Sequence, residues 1–413
     1  MRFGLLGRKL DHSYSPQIHK YFEDYPYCLF AQEPEALPDF FRERDFSGIN
    51  ITIPYKKTVL DYCDDLTETA RVIGAVNTIV NRNGKLIGHN TDCFGFRFML
   101  RKSGLSVKGK KVLILGSGGA SITARFVLDD LGAKVIIISR SGENNYQNLD
   151  LHADAAMIVN CTPVGMYPNN GHTPLSLVNF PALEGVLDMI YNPAKTKLLM
   201  DAEGRGLVAL NGLWMLIAQA KESAEWFTGK IFDDSIIDEI YSAISLQTKN
   251  IVLIGMPGCG KNAVGSSLSA LLGRIFWDAD NLIREKAGCD IPNIFTKQGE
   301  AGFRAIETAV LADIAKGSGA VIATGGGCVT REENLPLLRQ NSIIIWLKRE
   351  INQLPKEGRP LSQATDLEEM YRVRKPKYER FADFAVENNG TPEETTNAIV
   401  RLLKGKYNED IGY

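Results

Sequence analysis

Two glycine-rich loops, each directly after an apolar run, constrain the fold of this chain more than any other feature. They are LILGSGGA at 113–120 and IVLIGMPGCGK at 251–261. An apolar run followed by closely spaced glycines is typical of a buried strand that turns into a helix, where backbone amides can hold a phosphate group. The second loop also matches the G-x-x-x-x-G-K pattern, whose lysine reaches the terminal phosphates of a nucleoside triphosphate. The chain is therefore predicted to carry two different phosphate-binding sites.

The rest of the chain has the pattern of layered α/β domains. A length of 413 residues favours two or three domains. Short apolar runs alternate with amphipathic stretches, which predicts mostly parallel strands with helices between them. Strands are predicted at 2–7, 48–53, 111–115, 134–138, 157–159, 185–188, 320–323 and 342–347, and helices at 212–227 and around 233–246. Three domains are expected. The first comprises residues 1–99 and is completed by helix 212–246, the second comprises residues 100–211, and the third comprises residues 249–405.

Composition excludes several classes of function. The 47 Lys and Arg residues against 49 Asp and Glu residues give a net charge of −2, which argues against nucleic-acid and anionic-membrane binding. The seven cysteines are scattered without a C-x-x-C pair, which favours a reducing compartment over structural zinc. The N-terminal apolar run is too short for a signal peptide, and no run of 18 apolar residues occurs. We therefore expect a cytoplasmic protein.

The strand after the first loop carries a cofactor signal. An NAD site usually has an acidic residue at the end of that strand to bind the ribose 2′-hydroxyl. Here the strand ends in Ser139, Arg140 and Ser141, and no acid occurs before Glu143. An arginine in this place can pair with a 2′-phosphate, which predicts NADP, although a solvated loop arginine is the alternative.

Residues 1 to about 245 resemble the shikimate dehydrogenases. The motifs that carry the resemblance are HSYSP at 12–16, NITIPYK at 50–56, GAVNT at 74–78, HNTD at 89–92, GSGGA at 116–120, SRS at 139–141, NCTPVGM at 160–166, DMIYNP at 188–193 and GLWMLIAQA at 212–220. The resemblance implies a substrate-binding α/β domain followed by a Rossmann-type NADP domain.

The resemblance also implies residue roles. Ser13 and Ser15 would hold a substrate carboxylate, and the residues that contact the rest of the substrate would be Asn50, Thr52, Asn77, Asp92, Tyr191 and Gln219. The residues that bind NADP would be Gly116, Ser117, Gly118, Gly119, Ala120, Ser139, Arg140, Ser141, Thr162 and Gly212. Lys56 and Asp92 would form the catalytic pair.

The chemistry suits that pair, because hydride delivery to a ketone leaves charge on an oxygen that an ammonium can stabilise and protonate. An exposed charge at Lys56 and a helix N-cap at Asp92 are the alternatives.

Residues 249 to about 405 resemble shikimate kinase, a small phosphate-loop kinase of the nucleoside-monophosphate-kinase type. The matching motifs are GMPGCGK at 255–261, FWDAD at 276–280, Phe295 with QGE at 298–300, FR at 303–304 with Glu307, TGGG at 324–327, GRPL at 358–361 and RKPKY at 374–378. The resemblance implies a parallel α/β domain that binds ATP and shikimate.

In this second half the residues implied to contact shikimate are Asp280, Arg304, Gly326, Gly327 and Arg374, and those implied to bind ATP are Gly255, Gly258, Cys259, Gly260, Lys261 and Asn262. Arg359 would reach in from a lid. All five histidines lie in the first half, so Asp280 is the natural acceptor of the hydroxyl proton, with Lys261 and Arg359 on the transferring phosphoryl group. A plain turn at the TGGG segment and solvated arginines are the alternatives.

Two departures from the kinase pattern concern Mg²⁺. The residue after the phosphate-loop lysine should be Ser or Thr, but here it is Asn262, which together with Asp278 would have to hold the ion. The stretch between Leu347 and Arg359, where the lid is expected, is also short and contains Pro355.

The sequence therefore predicts a bifunctional enzyme of aromatic amino-acid biosynthesis that acts on small molecules. NADPH would reduce 3-dehydroshikimate to shikimate, and ATP would then phosphorylate the 3-hydroxyl. One alternative is an active dehydrogenase fused to a non-catalytic kinase-like binding or assembly module; another is a quinate-accepting NAD dehydrogenase. The oligomeric state stays open.

Overall fold

The computed structural model describes residues 2–10, 13–23, 25–354 and 366–407. These residues form two compact units. The first comprises the described part of Met1–Gly165 with His172–Tyr191 and Leu198–Ile244, and the second comprises Met166–Gly171, Asn192–Lys197 and the described part of Ser245–Tyr413. Within the described residues, no helix is both long and apolar enough to span a membrane.

The first sheet of the first unit has six strands in the order β2-β1-β3-β5-β6-β4. The strands are β1 (Phe3–Gly7), β2 (Tyr27–Ala31), β3 (Gly48–Ile51), β4 (Asp65–Leu66), β5 (Thr78–Arg82) and β6 (Lys85–His89). The helices interspersed with them are α1 (Ser15–His19), α2 (Leu37–Glu43) and α3 (Glu68–Ile73). Strands β1, β2 and β3 are parallel, whereas β5 runs antiparallel to both β3 and β6.

The second sheet of this unit is fully parallel, in the order β11-β10-β9-β7-β8. Its strands are β7 (Lys111–Leu115), β8 (Lys134–Ile138), β9 (Met157–Asn160), β10 (Gly185–Asp188) and β11 (Val208–Asn211). Helices α4 (Asp92–Ser103), α5 (Gly119–Asp130) and α6 (Lys197–Gly204) accompany it. The central strand β9 is fully buried and its neighbour β7 almost fully, as expected for a parallel sheet covered on both faces.

Two helices end the first half of the chain: α7 (Leu213–Thr228) and α8 (Ser235–Thr248). Helix α7 packs against α4, where Gly95 lets the two backbones approach closely at Met215. It also reaches the first sheet, because the Phe227 ring lies against Gly48 of β3. Side chains of helix α7 therefore contact the first sheet as well as α4.

The second unit contains a five-stranded parallel sheet in the order β13-β14-β12-β15-β16. Its strands are β12 (Asn250–Ile254), β13 (Phe276–Asp278), β14 (Val321–Ala323), β15 (Ser342–Lys348) and β16 (Phe384–Glu387). Its helices are α9 (Lys261–Leu272), α10 (Ala279–Ala287), α11 (Ile291–Ile314, kinked at Gly299), α12 (Asn334–Arg339), α13 (Leu367–Phe381) and α14 (Pro392–Tyr407). The two strands that end at the phosphate loop and at the TGGG segment are neighbours in this sheet.

The predicted α/β class, the mostly parallel strands and both strand-loop-helix turns are confirmed. The hairpin of β5 and β6 was not predicted. Its turn holds Asn83 at a φ of 55° and Gly84 at a φ of 86°, the left-handed conformations that an Asn-Gly hairpin turn requires. Within the described residues, six short 3₁₀ helices connect the elements, at Pro34–Ala36, Thr58–Tyr62, Leu149–His152, Leu177–Asn179, Cys328–Thr330 and Ile351–Gln353.

Candidate functional sites

Lys56 and Asp92 form an ion pair in the first unit. Lys56 Nζ lies 2.6 Å from Asp92 Oδ2, and the Asp92 side chain is mostly buried. Asp92 is the first residue of α4, and the preceding Thr91 occupies the N-cap position. The N-cap alternative for Asp92 is therefore wrong, since its carboxylate binds the lysine. Lys57, the neighbour in sequence, is exposed.

Asn77 holds the other oxygen of the same carboxylate. Asn77 Nδ2 donates to Asp92 Oδ1 at 3.0 Å and to Thr91 Oγ1 at 2.9 Å. Asn77 Oδ1 accepts the backbone N–H of Thr91 at 2.7 Å. Gln219 of α7 completes the group, because its Oε1 lies 3.4 Å from Asn77 Nδ2. Lys56, Asn77, Asp92 and Gln219 thus meet at the start of α4. These four predicted residues come from four separate motifs.

Asn50 lies beside this group and is almost fully buried. Its Nδ2 donates to Ser223 Oγ at 2.7 Å and to Thr78 Oγ1 at 3.1 Å. Its Oδ1 accepts the Tyr27 hydroxyl at 2.7 Å. The predicted residue is therefore part of a buried polar network that joins β2, β3, β5 and α7.

The remaining predicted substrate residues are Ser13, Ser15, Thr52 and Tyr191. Ser13 Oγ accepts the N–H of Ser15 at 3.2 Å, and Ser15 is buried as the first residue of α1. Thr52 follows β3 and is half-buried. The Tyr191 ring lies 5.3 Å from the ring of Tyr14, and burial raises the pKa of Tyr191.

The first glycine-rich loop has open space in front of it. Gly116 has a φ of 102°, and a Cβ on it would come within 3.1 Å of Thr162 Cγ2, so the loop and Thr162 are in close contact here. Cβ atoms added to Gly118 or Gly119 would meet no atom within 4 Å. These two glycines open α5, and Ser117 and Ala120 beside them are exposed. The loop therefore has room for a phosphate at the N-terminus of a helix.

The other predicted cofactor residues differ in exposure. Arg140 and Ser141 are exposed, and Ser139 is half-buried. No carboxylate lies within ion-pair distance of Arg140 among the residues that the structure describes. Gly212 precedes α7, where a side chain would collide with the backbone of Met189.

The second unit contains a cavity of about 460 Å³ that gathers most of the predicted kinase residues. The predicted residues that line it are Gly258, Gly260, Lys261, Asn262, Asp280, Arg304, Gly326, Gly327 and Arg374. The plain-turn and solvated-face alternatives for the TGGG segment and these arginines are therefore not supported, since Arg304 and Arg374 are both buried. Arg359 lies outside the described residues, as do His12 and Pro355.

A buried ion pair fixes Arg304 in this cavity. Arg304 Nη1 lies 2.7 Å from Glu307 Oε2, and both residues are buried. The other carboxylate oxygen, Glu307 Oε1, is buried and has no hydrogen-bond partner among the described residues. Burial raises the pKa of Glu307, and the guanidinium of Arg304 acts against that rise. A Cβ on Gly327 would lie 2.0 Å from Arg304 Nη2, so this arginine packs directly on the glycine.

Arg374 and Asp280 also lie in the cavity. Arg374 Nη1 donates to Gly326 O at 3.1 Å, and the Tyr378 hydroxyl donates to the same oxygen at 2.5 Å. Burial raises the pKa of the Asp280 carboxyl; the charge of Lys261 opposes this and that of Asp278 adds to it.

At the phosphate loop, the ammonium of Lys261 donates to the carbonyls of Gly255 and Met256, each at 3.0 Å. Cys259 is fully buried beneath the loop. Asn262 Nδ2 donates to Asp278 Oδ2 at 2.7 Å. Asp278 also caps α10, because its Oδ1 accepts the N–H of Asp280 at 2.9 Å.

Several residues of these sites had no predicted role. In the first unit they are Tyr27, Thr78, Thr91 and Ser223, and in the second unit the cavity-lining residues are Pro257, Arg284, Phe295, Phe303, Glu307 and Thr324. Most of them belong to the motifs that carry the two resemblances, whereas Tyr27, Ser223 and Arg284 belong to none. Ser223 lies one helical turn after Gln219, so the helical i, i+4 spacing could have found it.

Comparisons with known proteins find matches for both halves of the chain. The model of the family described as Shikimate dehydrogenase substrate binding domain matches residues 5–79, and that of the family described as Shikimate kinase matches residues 257–404. A relative named Shikimate dehydrogenase (NADP(+)), from Clostridium perfringens, is 35% identical over 264 residues. That match covers 59% of this chain and 97% of the relative.

Solved structures give the same result for the first half. One is a chorismate mutase/shikimate 5-dehydrogenase fusion protein from Clostridium acetobutylicum, with 36% identity and a TM-score of 0.56, covering 59% of this chain and 96% of that chain. Another is shikimate 5-dehydrogenase from Thermus thermophilus in complex with NADP(H) and shikimate, with 32% identity and a TM-score of 0.54, covering 58% of this chain and 98% of that chain. This protein belongs to the shikimate dehydrogenase family and is a fusion of such a dehydrogenase with a C-terminal shikimate kinase domain.

Proposed function

We propose that the first unit reduces 3-dehydroshikimate to shikimate with NADPH. The observation that carries this proposal is the Lys56–Asp92 pair at 2.6 Å, surrounded by Asn77 and Gln219. The buried carboxylate of Asp92 fixes the position of the Lys56 ammonium, and the amide groups of Asn77 and Gln219 next to it can bind ring hydroxyls. The Thermus thermophilus relative, which was solved with NADP(H) and shikimate, supports the same substrate and cofactor for this chain.

In this reaction Lys56 acts as the proton donor. Charge develops on the ketone oxygen as it is reduced, and the ammonium of Lys56 stabilises that charge and gives the oxygen a proton. Asp92 orients the ammonium through Oδ2, while Asn77 holds Oδ1 and so fixes the carboxylate. Both partners are tied to the start of α4, which limits their movement during the reaction.

The residues of the first loop fit NADP(H). The open space at Gly118 and Gly119, at the N-terminus of α5, suits the pyrophosphate. Arg140 is exposed at the end of β8, where its guanidinium would pair with a 2′-phosphate. When bound, NADPH would supply the hydride.

For the second unit we propose ATP-dependent phosphorylation of shikimate on its 3-hydroxyl. The observation that carries this proposal is the single cavity shared by Lys261, Asp280, Arg304 and Arg374. Arg304 and Arg374 suit the substrate carboxylate, since a guanidinium can bind a carboxylate through two parallel hydrogen bonds. Asp280 accepts the proton of the hydroxyl that is phosphorylated. When ATP binds, Lys261 exchanges its hydrogen bonds to two loop carbonyls for hydrogen bonds to the phosphates.

The residues at the loop fit a Mg²⁺ ion that is held mainly by phosphates and water. Asn262 uses its Nδ2 toward Asp278, so its Oδ1 is the atom that can face a cation. An amide oxygen is an acceptable ligand for Mg²⁺, which usually keeps several waters. Asn262 and Asp278 would hold the ion, which when bound would neutralise phosphate charge.

The Asn262–Asp278 hydrogen bond also favours the alternative of a non-catalytic kinase-like module, because it engages both groups expected near the metal. An assay with shikimate, ATP and Mg²⁺ separates the two functions. We expect ADP formation by the unaltered protein, and N262T should keep that activity and need less Mg²⁺ for half-maximal rate. ADP formation that appears only in N262T or N262S would instead support the non-catalytic module.

The dehydrogenase function is tested with the same preparation. Shikimate and NADP⁺ should give NADPH, measured by absorbance, and 3-dehydroshikimate with NADPH should give the reverse change. Higher rates with NAD⁺ and quinate than with NADP⁺ and shikimate would overturn this part of the proposal.

A further inference from the structure

The Asn50 amide is held in one orientation by the groups around it. Its Nδ2 faces three oxygens, Ser223 Oγ at 2.7 Å, Thr78 Oγ1 at 3.1 Å and the Asn77 carbonyl at 3.4 Å. The Ser223 hydroxyl lies 2.9 Å from the carbonyl of Gln219, one turn earlier on α7, and can donate its proton there. A rotation of the amide by 180° would turn Oδ1 toward these oxygens, which is unfavourable because a carbonyl can only accept hydrogen bonds.

Tyr27 completes this arrangement from the opposite side. Its hydroxyl donates to Asn50 Oδ1 at 2.7 Å. The ring of Tyr27 is itself fixed, since it stacks on His19 with 4.1 Å between the ring centroids and an interplanar angle of 15°. His19 is buried and uncharged, because burial lowers its pKa to about 3. Three proton donations therefore follow one another, from Tyr27 to Asn50, from Asn50 to Ser223 and from Ser223 to Gln219.

We propose that Tyr27 and Ser223 are positioning residues that make Asn50 a hydrogen-bond acceptor for one hydroxyl of the substrate ring. Both N–H groups of the amide are engaged, by Ser223 and Thr78, and one lone pair of Oδ1 is taken by Tyr27. Among the described residues, Tyr27 is the one donor of a hydrogen bond to Oδ1, so the second lone pair of Oδ1 remains for the substrate. A hydroxyl can donate to it, whereas a ketone cannot, so Asn50 selects for a ring position that carries a hydroxyl in substrate and product alike. This inference rests on the proposed dehydrogenase function.

The chain offers a matched pair of variants for the test. Y27F removes the hydroxyl that bonds Asn50 and also reaches Ser15, and it keeps the ring that stacks on His19. S223A acts on Asn50 from the other side and therefore distinguishes the Asn50 contact from the Ser15 contact. Y25F removes a hydroxyl of the same kind, which lies 2.7 Å from His19 Nδ1 and does not contact Asn50. A purely structural role for these hydroxyls would affect thermal stability in both variants and leave the KM for shikimate unchanged.

Steady-state oxidation of shikimate by NADP⁺ gives the decisive readout. We expect Y27F to raise the KM for shikimate about five- to tenfold with kcat within about twofold, as for the loss of one neutral hydrogen bond. The KM for NADP⁺ should not change, S223A should behave like Y27F, and Y25F should stay within about twofold of the unaltered protein. An unchanged KM in Y27F, or an equal rise in Y25F, would overturn the inference.

The same measurements separate this inference from the proposed function. If the unaltered protein oxidises shikimate, the function stands and the two tyrosine variants alone judge the role of Tyr27. If the unaltered protein neither oxidises shikimate nor binds it by calorimetry, the proposed function fails, and the inference fails with it.

Discussion

At the scale of single residues, the dehydrogenase site depends on two side chains that are distant in sequence and 2.6 Å apart in space. Lys56 follows β3 and Asp92 begins α4, so their contact depends on how the sheet and the helix pack together. The motifs predicted both residues. They could not predict that Asn77 holds the second carboxylate oxygen, because that contact depends on the hydrogen-bonding geometry of the folded chain.

Replacement of Lys56 by alanine should abolish most dehydrogenase turnover. We expect kcat to fall at least about a hundredfold, the usual range for loss of a positioned proton donor. The exposed neighbour provides the control, since K57A should retain near-normal turnover. Phosphorylation of shikimate by the K56A protein should be unchanged, which reports on correct folding. Near-normal reduction of 3-dehydroshikimate by K56A would contradict the assignment.

Arg140 should determine the choice between NADP and NAD. Its guanidinium has no ion-pair partner among the described residues, so R140A removes no structural contact of that kind. We expect R140A to raise the KM for NADP⁺ about 10- to 100-fold, because charge-assisted hydrogen bonds are lost, and to leave the KM for NAD⁺ unchanged. Arg125, exposed on α5 and paired with Asp129, supplies the control variant R125A. An R140A protein that still prefers NADP⁺ would rule out this role.

At the scale of elements, the sequence predicted strands best where the apolar run is continuous. Strands β7, β8 and β10 begin and end at the predicted residues. The hairpin of β5 and β6 was missed although its Asn83-Gly84 turn has the expected signature. Helix α7 was predicted as a helix, but not its bond from Ser223 to Asn50, a contact 173 residues apart in sequence that no local pattern encodes.

The TGGG segment and α11 form a second pair of elements whose packing can be tested. A Cβ on Gly327 would lie 2.0 Å from Arg304 Nη2, and Arg304 is held there by Glu307. We therefore expect G327A to displace the guanidinium and to raise the KM for shikimate in the kinase assay about tenfold, with dehydrogenase activity unaffected. In G317A the added methyl meets its nearest atom at 3.5 Å, so this variant should behave normally. An unchanged KM in G327A would show that Arg304 does not bind shikimate.

At the scale of the whole molecule, a net charge of −2 is compatible with a local group of basic side chains. The kinase cavity is lined by four of them, Lys261, Arg284, Arg304 and Arg374, together with the carboxylates of Asp280, Asp290 and Glu307. These four cations are where a nearly neutral chain can bind anionic substrates. The phosphate loop and the arginine motifs predicted three of the four.

The central claim is that one chain carries out two consecutive reactions. The most direct measurement supplies the purified full-length protein with 3-dehydroshikimate, NADPH, ATP and Mg²⁺. It follows NADPH oxidation, ADP formation and the amounts of shikimate and shikimate 3-phosphate together. We predict shikimate 3-phosphate as the final product, with one NADPH oxidised and one ADP formed for each molecule of it. Accumulation of shikimate with NADPH consumed and no ADP formed would contradict the claim and leave only the dehydrogenase.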